Sequence, residues 1–67
     1  MTKSGYEILK DLVKAGGCLP TNIIKATYGL TQEQLVDILA DLIQHSFLAR
    51  GPEVICITTE GKDYLNQ

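Results

Sequence analysis

The stretch that decides the fold is LTQEQLVDILADLIQHSFLAR, residues 30–50. Thr31, with Gln34 three residues later, has the pattern of a capping box, in which each side chain accepts a hydrogen bond from the other residue's backbone N–H. Apolar residues then recur at helical spacing, at Leu35, Ile38, Leu39 and Leu42. The pattern predicts a helix of about fourteen residues that buries one face.

A second, shorter helix is predicted just before this one, at residues 22–28. Thr21 is expected to cap it, Ile24 and Tyr28 share its inner face, and Gly29 ends it. Only Gly29 and Leu30 separate this helix from the cap of the next. Two helices joined by so short a turn with a glycine predict a helix-turn-helix.

The N-terminal segment predicts a first helix and a short extended piece. Ser4 and Glu7 have the spacing of another capping box, and the apolar residues Ile8, Leu9, Leu12 and Val13 share one helical face. The glycine pair at residues 16–17 is expected to end this helix. Residues 18–19 are then expected to be extended, since the proline that follows favours extension in the residue before it.

The C-terminal part predicts a hairpin and a final helix. Residues 47–50 and 54–58 resemble strands, and the Gly-Pro-Glu between them is typical of a turn. Thr58 or Thr59 is expected to cap a helix over residues 60–65 that turns Tyr64 and Leu65 inward. The predicted fold class is mainly α with a small β-hairpin, in the order α-β-α-α-β-β-α, within a single domain over residues 1–67.

Composition excludes some functions. Six basic and eight acidic residues give a net charge of −2, so binding to nucleic acid through bulk charge alone is excluded. A domain of 67 residues buries only about 60% of its unfolded surface, so a partner or a second copy is expected to cover apolar surface that remains. The lysines at 3, 10 and 14 form a stripe on the first helix, to be read as a solvated face or as a contact for phosphates or an acidic partner.

The two cysteines, Cys18 and Cys56, are expected to be free thiols in a reducing cytoplasm, with an intramolecular disulfide as the open alternative. Together with His45 they are too few to hold zinc, which needs about four ligands. No signal peptide or membrane span is expected, and localisation is predicted to be cytoplasmic. Neither a phosphate loop nor a convincing Cys–His pair is present, so no cofactor, no metal and no enzymatic activity are expected.

These residues together resemble the winged helix-turn-helix family of small bacterial or phage regulators. The likeness rests on the quoted stretch and on ITTEGKDYL at residues 57–65, which is similar to a common ending in such proteins. The resemblance implies DNA binding by a dimer, with the third helix in the major groove and the hairpin as the wing. The implied groove-facing positions are Gln32, Glu33, Gln34, Val36, Asp37, Ala40 and Asp41. Arg50 on the wing and Lys25 on the second helix complete the candidate DNA contacts.

The third helix departs from what DNA binding requires. Three of its implied groove-facing residues are carboxylates and none is basic, so the phosphates of DNA would repel it. A second apolar flank, formed by Val36, Ala40 and Ile43, is either covered by the last helix or the wing or serves as a protein interface. Val54 and Cys56 are expected to face outward on the wing. The favoured interpretation is a regulatory module that acts through protein contacts or as a homodimer, and the alternative is direct, sequence-specific DNA binding.

Overall fold

The computed structural model describes residues 3–66, and side chains from residue 4 onward. Four helices and three strands follow one another in the predicted order. They are α1 (Lys3–Lys14), β1 (Cys18–Pro20), α2 (Thr21–Tyr28), α3 (Gln32–Gln44), β2 (Leu48–Arg50), β3 (Val54–Ile57) and α4 (Thr59–Leu65). The predicted fold class, mainly α with a small hairpin, is therefore confirmed.

Helix α3 forms as its sequence predicts. The Thr31 hydroxyl accepts a hydrogen bond from the backbone N–H of Gln34, and the Gln34 side chain accepts one from the N–H of Thr31. This capping box satisfies two N–H groups that the first turn of a helix leaves without partners. Leu35, Leu39 and Leu42 are buried on the inner face of the helix.

The three strands form one antiparallel sheet in the order β1-β3-β2. The β2–β3 hairpin was predicted, and so was a short extended β segment before α2, but the pairing of that segment with β3 was not. β1 pairs with β3 so that Cys18 lies opposite Cys56 and Pro20 opposite Val54. The central strand β3 turns Ile55 and Ile57 inward, as predicted, and both are buried.

The core lies between the helices and the inner face of the sheet. Ten side chains form it: Ile8, Leu9, Leu12, Ile24, Leu35, Leu39, Leu42, Leu48, Ile55 and Ile57. Tyr64 and Leu65 of α4 pack against it from the side, as predicted. Gly61 is buried because α4 approaches the backbone of Phe47 closely, and an added Cβ would lie 2.6 Å from the Phe47 carbonyl oxygen.

Two of the predicted helix caps are wrong. α1 already includes Lys3, so Ser4 lies inside the first turn and does not cap it. Pro20, with φ −62° and ψ 141°, is the N-cap residue of α2. Thr21 is used differently, since its N–H donates to the carbonyl oxygen of Glu53 at 3.1 Å and its hydroxyl donates to the same oxygen at 3.5 Å. α2 therefore begins at Thr21 without a side-chain cap, and Thr21 instead acts as a hydrogen-bond donor that joins this helix to the hairpin turn.

Val13 was expected on the inner face of α1, but it is 47% exposed. It lies at the edge of the apolar face of α1, and the residues of that face that enter the core here are Leu9 and Leu12. The side chain of Lys3, one of the three lysines of the predicted stripe, lies outside the described residues. Lys10 and Lys14 are exposed, as a solvated face requires.

The prediction of free thiols is wrong, because Cys18 and Cys56 form a disulfide. The two residues lie directly opposite each other on β1 and β3, with Cα atoms 4.0 Å apart. The sequence separation of 38 residues concealed this proximity, since only the pairing of β1 with β3 brings the cysteines together. The expectation of a reducing compartment loses the support that free thiols would have given.

Candidate functional site

The outward side of α3 combines exposed carboxylates with exposed apolar side chains. Glu33, Val36, Asp37 and Ala40 are all exposed and lie opposite the buried leucines of the helix. Val36 retains 43% of its accessible surface. We call these four residues the acidic α3 face. The resemblance places this side of the helix in the DNA groove, yet it carries no cation.

Asp41 differs from the other two carboxylates of α3. It is half-buried, and its carboxylate lies 3.6 Å from the His45 imidazole at the end of the helix. His45 Nδ1 also lies 2.8 Å from the Asp41 carbonyl oxygen. Asp41 therefore belongs to the local structure of the helix C-terminus, while Glu33 and Asp37 remain available to a partner.

The two glutamines predicted to contact DNA, Gln32 and Gln34, already use their side-chain oxygens in hydrogen bonds within the chain. The Gln34 side-chain oxygen accepts the Thr31 N–H at 2.9 Å as part of the capping box. The Gln32 side-chain oxygen accepts from the Lys25 ammonium at 3.3 Å. Base reading by glutamine needs both the oxygen and the nitrogen of the amide, so either residue would first have to give up its present bond.

A shallow groove of about 160 Å³ separates α2, α3 and β2. Four of the nine candidate DNA contacts line it, namely Lys25, Gln32, Val36 and Arg50, whereas Gln34 and Asp37 do not. Its lining is completed by Thr21, Asn22, Leu35 and Leu39.

The strand register explains why Arg50 reaches this groove. Arg50 pairs with the buried Ile55, so it projects from the inner side of the sheet at its edge. Thr21 and Asn22, which also line the groove, were not predicted. Their place in the first turn of α2, directly after Pro20, is the signal that would have indicated them.

The predicted apolar interface residues lie in three different environments. Val36 and Ala40 are exposed on α3, whereas Ile43 is half-buried and packs against the core of its own domain. Val54 is 37% exposed on the outer face of the sheet. Cys56 lies on the same face, half-buried and joined to Cys18. Apart from Ile43, the residues thus belong to two separate surfaces, one on α3 and one on the sheet.

The hydroxyl of Tyr28 donates a hydrogen bond to the carboxylate of Asp11 and so connects α2 to α1. Burial, followed by this hydrogen bond and the nearby negative charge, raises the pKa of Tyr28 well above its ordinary value. The phenol is therefore protonated at neutral pH. This contact fixes the end of α2 that leads into the turn before α3.

The architecture is that of a helix-turn-helix domain with a β-hairpin. A solved structure from Pseudomonas aeruginosa PA01, described as that of a proposed transcriptional regulator, is similar to it with a TM-score of 0.77 and 19% sequence identity. The match covers 94% of this chain and 46% of the other, so this chain spans about half the length of that protein. No protein-family model matches the sequence, and no curated protein matches it significantly.

Within residues 3–66, no helix has the length and apolar character needed to cross a membrane. The same residues contain no group of three or more His, Cys, Asp or Glu side chains arranged to hold a metal ion.

Proposed function

We propose that this chain is a non-catalytic regulatory module of the winged helix-turn-helix type that takes part in transcription control through protein contacts. The observation that carries the proposal is the acidic α3 face. In a helix that reads DNA, this side would lie in the groove close to the negatively charged phosphates. The charged residues on it, Glu33 and Asp37, are themselves acidic. Val36 and Ala40 between them supply the apolar contact that a protein partner buries. The likeness to a proposed regulator supports a role in transcription.

Electrostatics favours a protein partner over DNA at this face. Duplex DNA carries one negative charge for about every 1.7 Å of its axis, and affinity depends largely on the phosphates that a protein neutralises. One carboxylate can accept a hydrogen bond from the cytosine N4 amino group. Two exposed carboxylates one helical turn apart would add repulsion along the groove.

The experiment is a salt series of binding to duplex DNA, made with the wild type and with Glu33→Gln/Asp37→Asn, which removes both charges of the acidic α3 face. If the wild type uses only two or three dispersed cations, log K should fall by roughly 2 to 3 per unit of log salt for each chain. For a helix that faces protein, the double variant should leave this weak DNA binding nearly unchanged. Stronger binding by the variant would mean that the carboxylates repel DNA at close range. Tight wild-type binding with a steep slope would overturn the proposal.

Direct DNA binding remains the second candidate function because of the groove beside Arg50. Lys25 and Arg50 are the cations that line it, and Gln32, Thr21 and Asn22 add hydrogen-bonding groups. If DNA binds this chain, we expect the sugar-phosphate backbone of the DNA to lie across this groove. The first turn of α3 would then make the remaining contacts with the DNA.

The test of this candidate compares Lys25→Gln/Arg50→Gln with the matched control Lys62→Gln, whose lysine lies on α4 away from the groove. Loss of two phosphate contacts should make the salt slope shallower by roughly 2, while the control slope stays unchanged. Equal slopes in the two variants would exclude the groove as the DNA site.

A further inference from the structure

The exposed side of α1 has a composition opposite in charge to the acidic α3 face. It carries Tyr6, Lys10, Val13 and Lys14, all exposed, and we call these four residues the basic α1 face. Tyr6 is 39% exposed and Val13 47% exposed. The Lys10 ammonium lies 5.5 Å from the centre of the Tyr6 ring. The face thus combines apolar surface with two positive charges.

The charges of both faces have no partner of opposite sign within 4.0 Å among the described side chains. Among the side chains described for residues 4–66, the only contact within 4.0 Å between a carboxylate and a nitrogen of Lys, Arg or His joins Asp41 to His45. The carboxylates of α1 itself are Glu7 and Asp11, both half-buried, and Asp11 accepts the hydrogen bond from Tyr28. Lys10 and Lys14 on one face, and Glu33 and Asp37 on the other, are therefore free to bind another molecule.

The spacing of the charges matches between the two faces. Lys10 and Lys14 are four residues apart, as are Glu33 and Asp37, which is about 6 Å along a helix. Two helices packed side by side can therefore pair both lysines with both carboxylates. The small side chain of Ala40 allows a close approach, and Val36 would then meet the apolar surface of Tyr6 or Val13.

We infer that the acidic α3 face binds the basic α1 face of a second copy of this chain. The inference rests on the proposed function, since it names the partner of the same α3 surface. Charge complementarity and equal spacing select the second copy over other occupants.

The position of the two faces determines the symmetry of the assembly. α1 and α3 both contribute to the core, through Leu12 and Leu42, and each helix presents its charged face on its other side. The contact joins two different faces of the chain, so it is head-to-tail and leaves one face of each kind open for a further copy. Two faces of about two helical turns each bury little area, so association should be weak and sensitive to salt.

The experiment is sedimentation of the wild type and of two charge-reversed variants. At low salt, we expect the weight-average mass of the wild type to increase as the protein concentration is raised from about 20 µM to 1 mM, because a small interface binds weakly. The mass should pass that of a dimer without reaching a plateau. Lys10→Glu/Lys14→Glu and Glu33→Lys/Asp37→Lys should each remain monomeric. Lys62→Glu, on α4, is the control and should associate like the wild type.

A mixture of the two double variants tests the pairing itself. Each variant carries two faces of the same sign, but their mixture again offers opposite signs, so association should return. The chain with all four substitutions should also associate. A monomeric wild type at 1 mM, or a mixture that stays monomeric, would overturn the inference. A monomeric wild type with weak DNA binding would leave the proposed function standing with a different protein partner, whereas tight DNA binding would remove both.

Discussion

At the scale of single residues, Gly61 shows how a close backbone contact limits the sequence. A Cβ at this position would lie 2.6 Å from the Phe47 carbonyl oxygen and 2.7 Å from Ile57 Cγ1. Although alanine favours helix over glycine by about 1 kcal/mol, we expect Gly61→Ala to lower the free energy of unfolding by about 1–3 kcal/mol because α4 would have to move. Urea unfolding measures the change. Asp63→Ala, at an exposed position of the same helix, should change it little, and an equal effect of both substitutions would contradict the prediction.

The hydrogen bond from Tyr28 to Asp11 makes a second prediction at this scale. Tyr28→Phe removes the donor and should lower the free energy of unfolding at neutral pH by about 1–2 kcal/mol, since a partly buried hydrogen bond to a carboxylate is lost. Tyr6→Phe is the control, because that ring lies at the exposed surface. Equal stabilities of the two variants would show that the hydroxyl of Tyr28 contributes nothing.

The same tyrosine predicts a dependence on alkaline pH. The pKa of Tyr28 is raised in the folded chain, so the folded state retains its proton at pH values where the unfolded chain, with a pKa of about 10, has lost it. The stabilisation is therefore fully present below about pH 10 and is lost as the pH rises from there toward the folded pKa. The difference in unfolding free energy between wild type and Tyr28→Phe, followed from pH 8 to 12, should stay constant and then shrink. A difference that grows with pH would contradict the assigned direction.

At the scale of elements, α3 contributes both the core and the candidate interface. Its inner residue Leu42 is fully buried, and Leu42→Ala should cost about 2–5 kcal/mol. This is comparable to the whole stability of a domain of this size, about 3–10 kcal/mol, so the variant should be partly unfolded at 37 °C. Far-ultraviolet circular dichroism on heating measures the fraction of folded chain. Gln44→Ala, exposed on the same helix, should keep the wild-type transition, and a folded Leu42→Ala with that same transition would contradict the assigned core.

At the scale of the whole molecule, the disulfide joins the segment before the helix-turn-helix to the central strand. With a sequence separation of 38 between the cysteines, the loss of freedom in the unfolded chain corresponds to about 4 kcal/mol of stability. A dithiol reductant should therefore lower the thermal midpoint of the wild type markedly. Cys18→Ala/Cys56→Ala should start from the lower midpoint and not respond to reductant. An unchanged wild-type midpoint after full reduction would contradict the prediction.

The helices and the hairpin were predictable because their signals are local. The capping box at Thr31 and Gln34, the leucines of α3 and the turn after Arg50 each act within one or two turns of chain. The pairing of β1 with β3 was not predictable in this way, since it joins residues far apart in sequence and depends on how α2 and α3 pack. The disulfide and the use of Thr21 by the hairpin turn both follow from that pairing.

In the candidate site too, features set by local sequence were predictable and features set by tertiary packing were not. Periodicity indicated that Val36 and Ala40 share an exposed flank, but it could not show that Ile43 packs on the domain's own core. It also could not show that Lys25, Gln32 and Arg50 meet at one groove, because this depends on the angle between α2 and the sheet. The charge pattern of α3 needed no tertiary structure, since an exposed helix face follows from spacing once the buried face is known.

The bond between Cys18 and Cys56 also determines what a protease can separate. The exposed turn residues Pro52 and Glu53 lie between the two cysteines, so a single cut there leaves two fragments that remain covalently joined. Ile55 and Ile57 then stay beside the helices they pack against, and the nicked chain has the mass of the intact one plus one water until it is reduced. A cut at Gly16 or Gly17, outside this closed ring, would instead free α1 and with it Ile8, Leu9 and Leu12. The consequence of a single cut is therefore unequal along the chain: within the ring the two fragments stay joined, and at the glycine pair α1 is released.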